Sequence, residues 1–132
     1  MTTSEVQRPG KTILIVEDEA LIRFTLVDFF EDAGYRTFSA ENADEAIHIL
    51  DAHGAIRVVL TDVQMPGSMD GLRLAHQIRD RDPPTILVVT SGAIGPAAGD
   101  LPLDSMFVPK PFDPLRLLGH IEQRSACRSL PE

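Results

Sequence analysis

The chain has 132 residues, 43% of them hydrophobic and 24% charged, which is the composition of an ordinary folded domain with enough apolar material for one core. Twelve basic against twenty acidic residues leave a net charge of −8, which sets the surface against phosphate backbones and excludes nucleic acid as a partner through a basic face. No apolar run nears the roughly 20 residues of a membrane span. The first twelve residues lack the apolar stretch of a secretory signal, and the lone Cys127 excludes an internal disulfide or a thiolate metal cluster, so a cytoplasmic location away from the membrane is expected.

The run from Lys11 to Val16 is short and continuously apolar, as in a strand buried on both faces of a parallel sheet. From Ala20 to Asp32 the spacing of Ile22, Leu26, Phe29 and Phe30 predicts a helix, with Gly34 placed to end it. A second strand is expected over Tyr35 to Ala40. Asn42 then opens a helix with Glu45 as its capping partner and Ala46, Ile47 and Leu50 as its apolar stripe. Val58 to Thr61 reads as a third strand, Leu72, Leu74, Ala75 and Ile78 as a third helix, and Ile86 to Val89 as a fourth strand. The stretch Gly92 to Asp104 holds three glycines and two prolines, which predicts a short or irregular fourth helix. Met106 to Val108 follows as a fifth strand, and Asp113-Pro114 opens a last helix to about Gln123.

Strands alternating with helices through short loops predict an α/β fold, a doubly wound parallel sheet of five strands. One folded unit over 11–124 is expected, with flexible tails at 1–10 and 125–132 and no linker to a second domain. The four histidines (His48, His53, His76 and His120) are scattered, with no ligand pair, and are expected at surface positions or helix ends.

Ligands of an open α/β sheet bind beyond the carboxyl ends of its strands. Glu17, Asp18 and Glu19 follow the first strand, Asp62 ends the third, Thr90 and Ser91 end the fourth, and Lys110 follows the fifth. Clustered carboxylates repel one another and call for a cation, and an all-oxygen set favours Mg²⁺ or a similar hard ion such as Mn²⁺. An aspartate nucleophile flanked by metal and lysine is a phosphoryl-transfer arrangement.

Three stretches together carry a specific resemblance. They are Ile13-Leu14-Ile15-Val16-Glu17-Asp18-Glu19, then Leu60-Thr61-Asp62-Val63-Gln64-Met65-Pro66 with Met69-Asp70-Gly71, and Lys110-Pro111-Phe112. The chain resembles the receiver domain of two-component response regulators, the CheY-like family, from Lys11 to Gln123. That resemblance implies strand order 2-1-3-4-5, Asp62 as phosphoacceptor, and Glu17 and Asp18 as the acidic pair. It further implies metal ligands from Asp18, Asp62 and the Gln64 backbone carbonyl, Lys110 on the phosphoryl group, and a cis peptide at Lys110–Pro111. Ser91, with Thr90 as the alternative, would be the phosphoryl-contacting hydroxyl. The aromatic switch position is Phe107 where many relatives carry tyrosine, so switching there would run through packing alone. The loop Met65 to Gly71 looks one residue longer than usual, and Pro109 beside Lys110 is uncommon. The pattern is similar to the single-domain receivers of alphaproteobacteria.

The implied function is that of a stand-alone phosphoacceptor in a His-to-Asp relay, not an enzyme with turnover. Its phosphoryl donor would be a histidine kinase or a histidine phosphotransfer protein. It would then signal to an unidentified downstream protein by contact, or act as a phosphate sink. Two other classes compete with this reading. A flavodoxin-like nucleotide or flavin binder needs a phosphate-cradling first loop, and Glu17-Asp18-Glu19 would repel phosphate there. A metal-dependent phosphatase of one class needs a second aspartate two residues after Asp62, where Gln64 stands.

Overall fold

The computed structural model describes residues 11–54, 56–63, 70–92 and 100–129. The apolar runs become β1 (Thr12–Val16), β3 (Val58–Asp62) and β4 (Ile86–Ser91), buried along nearly their whole length. Such continuous burial is possible only where helices cover both faces of a sheet. The edges are β2 (Arg36–Ala40) and β5 (Met106–Pro109), and all five strands run parallel in the order β2-β1-β3-β4-β5. Proline ends an edge strand here, where a missing N–H is tolerated.

Alternation along the strands divides the core into two layers. On one face Ile13, Ile15, Leu60 and Val88 pack with Leu26 and Phe30 of α1 (Ala20–Asp32) and with Leu117 and Ile121 of α4 (Pro114–Ser129). On the other, Leu14, Val16, Val59 and Val89 meet Ala46 and Leu50 of α2 (Ala43–His53) and Leu74 and Ile78 of α3 (Gly71–Arg81).

Local chemistry sets most helix starts. Asn42 Oδ1 accepts from the Glu45 N–H at 2.9 Å, while Glu45 Oε1 accepts from the Glu41 N–H at 2.8 Å, one residue earlier than in a standard capping box. Asp70 caps α3 through the Arg73 N–H, and Asp113 accepts from the Leu115 N–H at the start of α4. Gly34 leaves α1 at φ 94°, a conformation that side chains with a Cβ resist.

Three boundaries differ from the sequence expectation. β3 runs on to Asp62 and β4 to Ser91, one and two residues past the apolar runs, so the candidate site residues end their strands as the sequence implies. The last helix continues to Ser129 instead of ending near Gln123, so residues 125–129 are helical where a frayed tail was expected. No helix breaker stands between Gln123 and Pro131, and Arg124 anchors this helix to Asp104. Residues 93–99, the heart of the expected irregular helix, lie outside the described residues. The turn that follows holds Asp104 at φ 63° and is tied down by Arg79. The Arg79 guanidinium donates to the carbonyls of Leu103 at 2.9 Å, Thr85 at 2.8 Å and Asp104 at 3.3 Å, and also to that of Pro83.

Candidate functional site

The site forms at the carboxyl ends of β1, β3 and β5, with β4 between the last two. Glu17 is the first residue after β1; its N–H donates to the Ala40 carbonyl at 3.0 Å and so ties it to the end of β2. Asp62 closes β3. Lys110 is the first residue after β5, and its N–H donates to the Ser91 carbonyl at 2.9 Å. From there the Lys110 ammonium donates to Glu17 Oε1 at 2.7 Å and to Asp62 Oδ2 at 2.9 Å. Carboxylate oxygens of Glu17, Asp18 and Asp62 lie within 4.8 Å of one another, with Glu17 and Asp62 buried and Asp18 exposed. Three carboxylates against one ammonium leave an excess of negative charge. An all-oxygen donor set open on its Asp18 side fits a hard divalent cation. Gln64, the backbone ligand implied by the resemblance, lies outside the described residues.

Burial pushes the Glu17 carboxyl above its usual 4.5; hydrogen bonds from Lys110 and the Glu19 N–H offset this only in part. Burial pulls the Lys110 ammonium down, but its hydrogen bonds to Glu17 and Asp62 outweigh that and raise it above 10.5. Lys110 therefore stays charged at neutral pH. For Glu17 the folded protein holds the proton more tightly than the unfolded chain does. Its contribution to stability therefore falls as pH rises from 4.5 through the raised value. Glu17→Gln, which does not titrate, is expected to gain on the wild type across that window in urea unfolding of the metal-free protein. A difference that stays constant with pH would refute this account of Glu17.

Thr90 and Ser91 are both buried but occupy different faces. Thr90 is the register partner of Asp62 and follows the alternation of Val88, on the α1/α4 side. Ser91 follows the alternation of Val89, on the α2/α3 side, where half-buried Phe107 also packs. The Lys110–Pro111 peptide is cis. All four histidines are exposed, and His53 stacks on Phe38 with ring centroids 4.3 Å apart.

Two residues at the site escape a reading of the sequence. Arg23 looks like a solvent-facing helix residue, yet it is only 8% exposed and belongs to the buried stripe of α1 with Leu26 and Phe30. Its place one helical turn beyond the acidic loop is the available signal. Gly71 belongs to the Met69-Asp70-Gly71 stretch that carries the resemblance, but the sequence assigns it no role of its own. A Cβ there would lie 1.6 Å from the Asp62 carbonyl oxygen, so α3 begins in direct contact with the backbone of Asp62. Beside the site runs an apolar groove of about 450 Å³ between α1 and the β5–α4 connection, lined by Leu21, Ile22, Pro111, Phe112 and Pro114, with Lys110 at its edge. Leu21 and the neighbouring Phe24 are 76% and 58% exposed.

The profile of the response regulator receiver domain family matches residues 13–122. The response regulator receiver protein CpdR of Brucella abortus is 33% identical over 117 residues, an alignment covering 86% of this chain and 95% of that protein. The sensor kinase CckA of the same organism is 36% identical over 105 residues, covering 76% of this chain and 11% of that protein. The chain spans between about a tenth and about half of several other curated relatives, the phosphate regulon regulator PhoB of Pseudomonas aeruginosa at 51% among them. Among solved structures, a response regulator receiver protein from Sinorhizobium medicae matches with a TM-score of 0.80 and 30% identity, over 89% of this chain and 96% of that one. The response regulator TrrA from Thermotoga maritima, solved in complex with Mg(2+)-BeF, matches at 0.73 and 27% identity, over 86% and 98%.

Proposed function

Since the chain belongs to the response regulator receiver family of two-component systems, we propose that Asp62 accepts the phosphoryl group from a phosphohistidine donor. The observation that carries this reading is the Lys110 ammonium bridging Glu17 and Asp62 at the end of the central strand. An Asp62 carboxylate oxygen attacks phosphorus in line with the leaving imidazole nitrogen; the O–P bond forms as the N–P bond breaks, and the electron pair returns to the nitrogen. Lys110 supplies fixed positive charge to the phosphoryl oxygens, and its second partner, Glu17, keeps it in place. Asp18 and Asp62 would hold the Mg²⁺ ion, with the Gln64 carbonyl as a further ligand. When bound, that ion supplies positive charge against the transferring group and orients it.

Ser91 is the hydroxyl proposed to meet the phosphoryl group. It is the last residue of β4, and it shares a face with Phe107, so movement of one repacks the other. We assign the folded unit to 11–124, with α4 extending beyond it, and read it as a signalling module rather than an enzyme with turnover. Its donor would be a histidine kinase or phosphotransfer protein, seated with an apolar surface on Leu21, Phe24 and the adjoining groove. Output then runs through protein contact or through removal of phosphate from the donor. The similarity to the receiver protein CpdR runs over 95% of that protein. Among the described residues no helix is long and apolar enough to cross a membrane.

Incubation with a small acyl phosphate and Mg²⁺ tests the reading. One phosphoryl group per chain is expected by mass, labile to hydroxylamine as an acyl phosphate is, and absent when chelator replaces the metal. An unmodified protein at saturating donor and Mg²⁺, or full modification in chelator, would overturn it.

A further inference from the structure

We infer that Arg23 is the positioning residue of the acidic loop, holding Glu17 and Asp18 where a divalent cation can be taken up. This rests on the reading of Asp18 and Asp62 as cation ligands. The loop 17–19 joins β1 to α1, and α1 starts without the usual device. Its N-cap is Glu19, and the Glu19 side chain makes no capping hydrogen bond. Arg23, the fourth residue of α1, ties the helix to the loop in a different way. Its Nη1 donates to the Glu17 carbonyl at 2.8 Å, inside the protein. The guanidinium also lies over the Phe24 ring, 5.1 Å from its centroid.

Glu17 is therefore gripped on both sides of its backbone, by Ala40 through its N–H and by Arg23 through its carbonyl. Its carboxylate is held as well, by Lys110 and by the Glu19 N–H at 3.1 Å. Asp18 is exposed and follows directly on Glu17, so its position follows from that of the peptide before it. A guanidinium is always charged and carries its donors in a rigid fork, so its bond to a carbonyl is stronger and better aimed than that of a neutral donor. Arginine at 8% exposure is rare without a partner, and the one at hand is the loop that bears the carboxylates. Groups that orient metal ligands from behind typically contribute roughly tenfold or more to metal affinity.

The test is calorimetric titration of the metal-free full chain with Mg²⁺, for wild type, Asp18→Ala, Arg23→Met and Arg23→Lys. It is paired with the Mg²⁺ dependence of acyl-phosphate uptake and with thermal unfolding in chelator. Arg23→Met should bind Mg²⁺ about tenfold more weakly and shift the half-saturating Mg²⁺ upward by the same factor. Its plateau rate should fall much less than its affinity. Arg23→Lys, which keeps a charged donor, should recover part of the loss. A merely structural arginine would lower the unfolding midpoint and leave the Mg²⁺ affinity of the folded protein alone. Wild-type affinity in both Arg23 variants, with Asp18→Ala unable to bind, overturns the role of Arg23 and leaves the cation site standing. No binding by the wild type, or undiminished binding by Asp18→Ala, overturns both. If Arg23→Met does not fold, Arg23→Lys decides alone: weaker binding supports the inference and unchanged binding ends it.

Discussion

Asp62→Asn should give a folded protein that takes up no phosphoryl group from a small acyl phosphate or from a phosphohistidine protein. The amide matches the carboxylate in size but offers no anionic oxygen to attack phosphorus. The expected loss of rate is at least about a thousandfold, the scale reached when a nucleophile is removed. The neighbouring acids do not replace it. Glu17 has both carboxylate oxygens engaged, one by Lys110 and the other by the Glu19 N–H. Asp18 stands at the exposed rim, off the central strand. Stability should move the opposite way. The substitution removes one of three crowded carboxylates and leaves Lys110 its bond to Glu17, so the thermal midpoint in chelator should equal or exceed that of the wild type. Mass spectrometry after phosphodonor treatment and a melting curve read the two effects. Phosphorylation of the variant at the wild-type rate would remove Asp62 from the mechanism.

Gly71→Ala is expected to be the most damaging single-methyl change near the site. The added carbon would lie 1.6 Å from the Asp62 carbonyl oxygen, 2.6 Å from its carbonyl carbon and 2.9 Å from Thr61 Oγ1. Two of these neighbours are backbone, so no side-chain rotation relieves the clash. Either α3 withdraws, breaking the bond from the Gly71 N–H to the Val63 carbonyl, or the end of β3 bends. Overpacking of this kind costs about 3 kcal/mol. Whichever element yields, the Asp62 carboxylate moves relative to Lys110, and acyl-phosphate uptake should fall by about tenfold or more, since misplacement on the 1 Å scale is enough. Gly119→Ala is the matched control, because nothing lies within 4 Å of a Cβ there and its place in α4 favours alanine by about 1 kcal/mol. Urea unfolding of both variants reads the contrast. Equal midpoints for Gly71→Ala and wild type would show that α3 can retreat freely.

The sequence made much of this legible, for identifiable reasons. β1, β3 and β4 are unbroken apolar runs because each is covered on both faces, and such runs resemble nothing else at that length. The starts of α2 and α4 are written in Asn42 and Asp113, whose side chains act within three residues along the chain. The meeting of Glu17, Asp62 and Lys110 is different. It depends on strand order, which local patterns leave open and which the likeness to receivers supplied. What stayed hidden depends on contacts between distant segments. Arg23 carries a charge into a buried stripe, against the expectation that arginine faces water. The clamp of Arg79 and Arg124 on Asp104 joins two helices and a turn that the sequence keeps far apart. The extra length of α4 reflects an absence, that of any breaker before Pro131.

The sheet divides the site between its two sides. Asp62 stands in the alternation of Leu60, above the layer built by α1 and α4, and the groove beside Lys110 opens on that side. Ser91 and Phe107 belong to the opposite layer, against α2 and α3. Whatever Asp62 carries bears on the α1 and α4 side, whereas Phe107 bears on α2 and α3. What separates the two is the thickness of a single layer of strands.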